Sequence, residues 1–282
     1  MKTNNFFYFL LLILIVSCNS NDSSIINVPP KVEETVLNVS YGSNDLQTYD
    51  VYLPASRTKE TTKTLIVVHG GGWIEGDKSD TNYLVDIIKR NLSGYAIVNM
   101  NYRLATIDNP AFPMQIDDIK SVVNKLKTSN YSISDNLGFI GLSAGAHLSL
   151  LYSYDYDTNN QVKMVASIVG PTNLTDANYV NNQEWIDLYF SITGLNYIDN
   201  INYFENISPL FKATSTSPPT IMLYGNADPL IPTTQGVDLN AKLNQLGVYN
   251  EFYLYNGGHG DWAPIDQLNA YTKMINFIKN KF

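Results

Sequence analysis

From Thr35 onward the chain falls into a regular pattern. Residues 35–41 and 46–53 alternate between apolar and polar positions, and Gly42-Ser43-Asn44-Asp45 between them is turn chemistry. The pattern predicts an antiparallel hairpin, ended by Pro54. Five short runs follow that are apolar at nearly every position: 65–68, 96–98, 137–140, 165–169 and 221–223. Runs apolar on both faces suit strands buried in a parallel sheet.

Helical spacing fills the gaps. Ile119, Val122, Val123 and Leu126 recur at helix period within 114–127, with Pro113 just before. Val237, Leu239, Leu243 and Leu246 mark a helix over 233–246, closed by Gly247. A last strand at 251–254 and a last helix at 265–282 complete the series. Repeated strand–helix units predict an α/β domain over 35–282: a doubly wound, mostly parallel sheet with an N-terminal antiparallel hairpin. Residues 173–217 break the rhythm. They are polar and aromatic, with Trp185, Tyr189, Phe190, Tyr197, Tyr203 and Phe204. So long a connection is a lid over a site or a surface excursion that covers sheet edges.

The first residues read differently. Lys2 precedes an apolar run over 6–16, too short to span a bilayer, followed by Ser17-Cys18. This predicts a signal peptide over 1–17. Ile15-Val16-Ser17-Cys18 resembles a bacterial lipobox, so Cys18 is the expected lipidation site, and the chain is expected to be an exported, membrane-anchored lipoprotein. The alternative is an ordinary signal peptide with a chance cysteine. Cys18 is the one cysteine, so no internal disulfide forms. Residues 18–34, rich in Asn, Ser and Pro, predict a flexible tether.

Charge narrows the partners. The net charge of −8 and the lack of a basic stripe argue against nucleic acid. No Gly-rich phosphate cradle, metal-ligand spacing or cofactor motif is present, so neither metal nor cofactor is expected. The 20 tyrosines fit either a sugar-binding cleft or ordinary core filling.

Two motifs carry chemistry. Gly141-Leu142-Ser143-Ala144-Gly145 follows a buried strand and opens an apolar helix. A sharp strand-to-helix turn exposes a serine hydroxyl, and glycines two before and two after leave room for the backbone. His69-Gly70-Gly71-Gly72-Trp73 follows the strand at 65–68. By composition a His followed by three glycines arises in on the order of one such chain in several hundred, so its company with the serine motif is informative. Consecutive glycines let backbone N–H groups converge on an oxyanion.

Serine needs a base. The three histidines are His69, His147 and His259. His69 lies in the glycine loop. His147 sits one turn after Ser143 on a buried helix; it is a core histidine or a support for the oxyanion loop. That leaves His259, in a Gly-rich loop after the last strand. Asp228, just past the strand at 221–223, is the orienting acid, with Asp261 as the alternative. The order Ser143, Asp228, His259 is that of the α/β-hydrolases. Asp117 and Asp118 begin a helix and are expected to pair with Arg103.

These motifs, with Gly76-Asp77-Lys78, Asn101-Tyr102-Arg103-Leu104, Phe112-Pro113, Asp228-Pro229 and Gly258-His259-Gly260, lie in family order. From about Thr35 to the C-terminus the chain resembles the α/β-hydrolase esterases of the hormone-sensitive-lipase-like and bifunctional feruloyl/acetyl-esterase group. The resemblance implies the α/β-hydrolase fold, Ser143 as nucleophile with Asp228 and His259, and the N–H groups of Gly71, Gly72 and Ala144 as the oxyanion hole. Lipase-like members carry a helical cap before the glycine-loop strand. Residues 19–34 are too few for one, which favours the feruloyl/acetyl-esterase side.

The expected activity is therefore removal of short acyl or feruloyl groups from an acylated polysaccharide or a small ester through an acyl-enzyme. An amide hydrolase, arylformamidase or peptidase-like, on the same triad is the alternative enzyme, and a catalytically silent binding hydrolase the non-enzyme alternative. Trp73, Trp185 and Tyr189 are the candidate substrate-binding aromatics. The segment 173–217 is expected to form a shallow, partly polar roof, its Asn and Tyr side chains reaching sugar hydroxyls and Trp185, Tyr189 and Phe190 offering stacking faces.

Overall fold

The computed structural model describes residues 30–282. The expected leader, Cys18 and the tether as far as residue 29 lie outside the described residues. The end of the tether is docked, contrary to the expectation of a loose segment to residue 34. The Arg57 guanidinium is only 5% exposed and donates to the Val32 carbonyl and to Glu34, while the Ser56 N–H donates to Lys31 O. A buried guanidinium needs acceptors, and this stretch supplies them.

One sheet of eight strands runs in the order β1-β2-β4-β3-β5-β6-β7-β8. β1 (Glu34–Ser40) and β2 (Thr48–Leu53) form the hairpin, and alternation along β2 buries Tyr49, Val51 and Leu53. β2 pairs antiparallel with β4 (Ala96–Met100). The rest is parallel: β3 (Thr64–Val68), β5 (Leu137–Leu142), β6 (Val162–Ile168), β7 (Thr220–Gly225) and β8 (Asn250–Tyr255). All five residues of β3 and of β4 are buried, as strands covered on both faces must be.

Helices cover both faces. α1 (Asn82–Asn91) and α9 (Pro264–Lys281) pack Leu84, Val85, Ile88, Met274, Phe277 and Ile278 against one. α2 (Ala111–Lys127), α3 (Ala144–Leu151) and α8 (Thr234–Gln245) cover the other. Phe112 departs from helical geometry (φ −115°, ψ 129°), so the regular part of α2 starts at Pro113, one residue before the expected 114–127.

The segment 173–217 is helical. It contains α4 (Ala177–Val180), α5 (Gln183–Thr193), α6 (Ile201–Asn206) and α7 (Pro209–Lys212). Its aromatic residues build its own core: Tyr189 stacks on Phe204 at 4.9 Å and meets Trp185 edge-on at 5.8 Å. Hydrogen bonds close its ends. The Leu174 N–H donates to Ser208 Oγ, and the Leu210 N–H to Thr172 O.

β3 has β4 on one side and β5 on the other, both parallel to it. The chain therefore crosses β3 between laying down β4 and β5. The crevice beyond the strand ends at such a reversal is where α/β sheets bind ligands. Both glycine motifs emerge there.

Candidate active site

Ser143 sits between β5 and α3 with φ 54° and ψ −122°. Such a geometry costs a non-glycine residue about 1–3 kcal/mol and persists only where the surroundings over-determine it. The surroundings do so. The Ser143 N–H donates to Ile168 O at 2.8 Å, and its carbonyl accepts from the N–H groups of Ala146 and His147. The flanking glycines permit the close packing: a Cβ on Gly141 would fall 2.4 Å from the Ala146 Cα, and one on Gly145 2.2 Å from the His69 carbonyl oxygen.

The glycine loop lies against this turn. A Cβ on Gly70 would fall 3.1 Å from that of Ser143. Gly71 (φ 108°), Gly72 (φ 54°) and Trp73 (φ 66°) all adopt left-handed backbone, which glycine reaches without strain and tryptophan does not. Gly71 also needs its bareness, since a Cβ there would fall 2.1 Å from Glu75 O. Side chains pin the loop from behind. The buried Tyr102 hydroxyl lies 3.0 and 3.1 Å from the His69 and Gly70 carbonyls, to which it donates. His69 stacks on the Tyr102 ring, and burial pushes its imidazole pKa down, towards the neutral form. Gln115 Nε2 and the Ala105 N–H donate to the Trp73 carbonyl at 2.7 and 2.9 Å.

The loops after β7 and β8 meet beside this crevice. A Cβ on Gly225 would fall 2.2 Å from Gly258 O, so only glycine lets the two loops touch. The Ala227 N–H donates to Gly257 O at 2.9 Å. Across the contact, His259 Nδ1 lies 2.8 Å from Asp228 Oδ2. A carboxylate only accepts, so Nδ1 carries the proton and Nε2 is left as the basic nitrogen. The Asp228 side chain is fully buried, and its other oxygen accepts from the Leu230 and Ile231 N–H groups at 2.8 and 2.9 Å. The Asp261 carboxylate accepts from the Gly258 N–H instead, which leaves His259 to Asp228.

A cavity of about 170 Å³ opens at the serine. Gly72, Trp73, Ser143, Ala144, Pro171, Glu184, Trp185, Leu188, Leu230 and Ile231 line it. Asp228 and His259 do not line it; they stand at its side, joined to its wall through Leu230 and Ile231. Gly71 is likewise set back from the lining.

The sequence model of the BD-FAE family matches residues 49–243 of the 282. The chain belongs to the BD-FAE family. Among curated relatives, Esterase LipC of Mycobacterium tuberculosis is 24% identical over 79% of this chain and 59% of its own. Kynurenine formamidase of Danio rerio is 29% identical over 53% of this chain and 51% of its own. The chain thus spans only about half to three-fifths of these relatives' lengths. Among solved structures, a truncated carbohydrate esterase from gut microbiota superposes with a TM-score of 0.75 at 20% identity, covering 89% of this chain and 96% of its own. The fold is that of the α/β-hydrolases.

Within this BD-FAE domain, of the three candidate aromatics Trp73 and Trp185 line the cavity and Tyr189 does not. It is fully buried beneath Trp185, where the packing of α5 on α6 takes its ring. Phe190 is exposed, away from the lining. No Asn or Tyr of 173–217 reaches the cavity; that segment contributes Glu184, Trp185 and Leu188, so the roof is more apolar than expected. Sequence reasoning missed Pro171, Glu184, Leu188, Leu230 and Ile231. The last two left a signal: an apolar pair in an otherwise turn-forming stretch after Asp228. Arg103 and Asp118 pair as expected, at 2.6 Å, while Asp117 turns to Lys120.

Proposed function

We propose that the protein is a serine carboxylic ester hydrolase. Ser143 Oγ attacks the ester carbonyl, and His259 Nε2 takes its proton. The N–H groups of Gly72 and Ala144, with Gly71 beside them, hold the oxyanion. The alcohol leaves with the proton from His259. Water, activated by the same nitrogen, then releases the acid from the acyl-serine. The observation that carries this reading is the 2.8 Å bond from His259 to the buried Asp228, in an α/β-hydrolase whose serine sits on a strained turn at a cavity. In the neutral ring this tautomer puts the free lone pair on Nε2, where it can act as base.

The finer reading is removal of short acyl, chiefly acetyl, or feruloyl groups from polysaccharides. It rests on the BD-FAE match, on a likeness to a carbohydrate esterase and on aromatic walls. A second reading, hydrolysis of an arylformamide, is favoured by the kynurenine formamidase relative. A panel of p-nitrophenyl acetate, acetylated xylan, methyl ferulate and N-formylkynurenine separates them. Ester turnover is expected, and Ser143→Ala should lower its kcat on the order of 10⁶-fold, with Ser143→Ala/His259→Ala scarcely worse. Full activity in Ser143→Ala removes the serine from this role.

A further inference from the structure

His147 is fully buried on α3, one turn beyond Ser143, and takes no part in the proton transfers above. Its two ring nitrogens nevertheless join a wall of the cavity, Trp73, to the segment 173–217 at Ile207. The Trp73 indole Nε1–H donates to His147 Nδ1 at 3.3 Å. On the opposite edge, Nε2 lies 2.8 Å from the Ile207 carbonyl oxygen. A carbonyl only accepts, so Nε2 carries the proton and Nδ1 is the acceptor: a single neutral tautomer satisfies both bonds. Phe112 packs edge-on at 5.4 Å and Trp73 at 5.2 Å, so the ring has one orientation. The helix that follows the serine, the oxyanion loop and the end of α6 in the roof therefore meet at one imidazole.

Trp73 is the residue that follows Gly72, and its left-handed backbone is strained. Gln115 and Ala105 hold its carbonyl, and His147 holds its indole. Together they set the peptide that carries the Gly72 end of the loop.

We propose that His147 is a positioning residue: through the Trp73 indole it holds the oxyanion loop in register with Ser143, and through Ile207 it joins that loop to the segment 173–217. This rests on the reading of Gly72 N–H as an oxyanion donor. Loss of the link leaves substrate binding largely intact and displaces the donor, which is felt only as charge develops on the carbonyl oxygen. A displacement of about 1 Å at such a donor costs on the order of 100-fold in rate.

Two amides divide the ring's functions. In His147→Asn the side-chain oxygen sits at the level of Nδ1 and keeps the acceptor for Trp73. In His147→Gln the amide sits at the level of Nε2 and keeps the bond to Ile207. For the full chain acting on p-nitrophenyl acetate, His147→Gln is expected to lose roughly 10- to 100-fold in kcat, with KM changed by less than about threefold and affinity for a boronic acid analogue falling in parallel. His147→Asn should retain kcat to within about threefold, and in a Trp73→Phe background the two should become equal, because the shared donor is gone. ¹⁵N spectra of the wild type should show His147 as the Nε2–H tautomer and a Trp73 indole proton protected from exchange, a readout that needs no variant to fold. Equal kcat for folded Asn and Gln variants, an effect confined to KM, or an Nδ1–H tautomer would overturn the proposal. Any of these in an enzyme that Ser143→Ala silences leaves the Ser143 reading standing; turnover that survives Ser143→Ala removes that reading itself.

Discussion

His259 donates its Nδ1 proton to Asp228, a carboxylate with no solvent exposure whose second oxygen is taken by two backbone N–H groups. Both oxygens of Asp228 are thus engaged, and the imidazole has one tautomer. Asp228→Asn offers His259 an amide in place of a carboxylate, and the amide is free to present its NH₂ and select the wrong tautomer. We expect kcat to fall on the order of 10⁴-fold with KM nearly unchanged, measured on p-nitrophenyl acetate, and the thermal midpoint to move little. A loss below tenfold would mean that another group orients His259.

Asp118, also without exposure, accepts from the Arg103 side chain and N–H and from Gln47. The pair clamps the chain after β4, whose Ala105 N–H holds the Trp73 carbonyl. Removing one partner of a buried pair strands the other, so Arg103→Ala should destabilise the fold by roughly 3 kcal/mol. The Arg103 head is one-third exposed, and water replaces part of what it supplies, which places the value at the low end. Urea titration checks this; a change under about 0.5 kcal/mol would show that Gln47 and the backbone suffice.

The sheet was legible because its central strands are apolar on both faces and its N-terminal hairpin alternates, and the site because Gly141, Gly145, Gly71 and Gly72 are each demanded by a close approach or a positive φ. Such constraints leave marks in sequence. α1 was not read, since its polar residues outnumber the three, Leu84, Val85 and Ile88, that it buries. The roof was read in outline only. Tyr189 and Trp185 are four apart on α5, yet one faces the roof's own core and the other the cavity. Composition cannot tell which aromatic a small subdomain uses to fill itself. Nor does local pattern show that Ile207 and Trp73 meet at His147, 60 and 74 residues away.

Burial lowers the His147 pKa to about 4, against an ordinary 6.5, so the unfolded chain binds its proton more readily than the folded one. The contribution is complete above pH 6.5 and is lost as pH falls from there towards 4. Between pH 7.5 and 5 the wild type should lose about 2 kcal/mol that His147→Asn does not lose. His69, shifted in the same direction, acts equally in both proteins and cancels from the difference. Urea titrations at the two pH values decide: parallel losses in both proteins would mean that His147 is protonated in the native state.

Cys18 follows the apolar run at a small residue, as a lipidation site would. We expect the mature chain to begin at Cys18, to carry lipid and to partition with membranes, and Cys18→Ser to be released. Mass spectrometry of the native N-terminus is the check. An unmodified start at any other residue defeats the expectation.

On the ester-hydrolase reading, the cavity walls are expected to set the acyl preference. Trp73, Pro171, Trp185, Leu188, Leu230 and Ile231 give it apolar walls, and its volume is about 170 Å³. While an acyl chain still fits, each added CH₂ contributes about 0.8 kcal/mol if buried, close to a fourfold gain in kcat/KM. Once the chain outgrows the walls that gain stops, and displacement of the ester from the serine reverses it. A site this small reaches the turning point early, so kcat/KM should peak between acetyl and butyryl esters and fall beyond them. Leu188 and Trp185 both hang from α5, and truncating them has different consequences. Leu188→Ala enlarges the cavity and should move the optimum towards longer chains. Trp185→Ala removes a broad aromatic face from the cavity wall, a face on which a sugar ring of a polymer could stack. It should raise KM for acetylated xylan more than for p-nitrophenyl acetate. A wild-type optimum at decanoyl or longer would require a groove that these walls do not leave, and it would sink the short-acyl reading whatever the variants do.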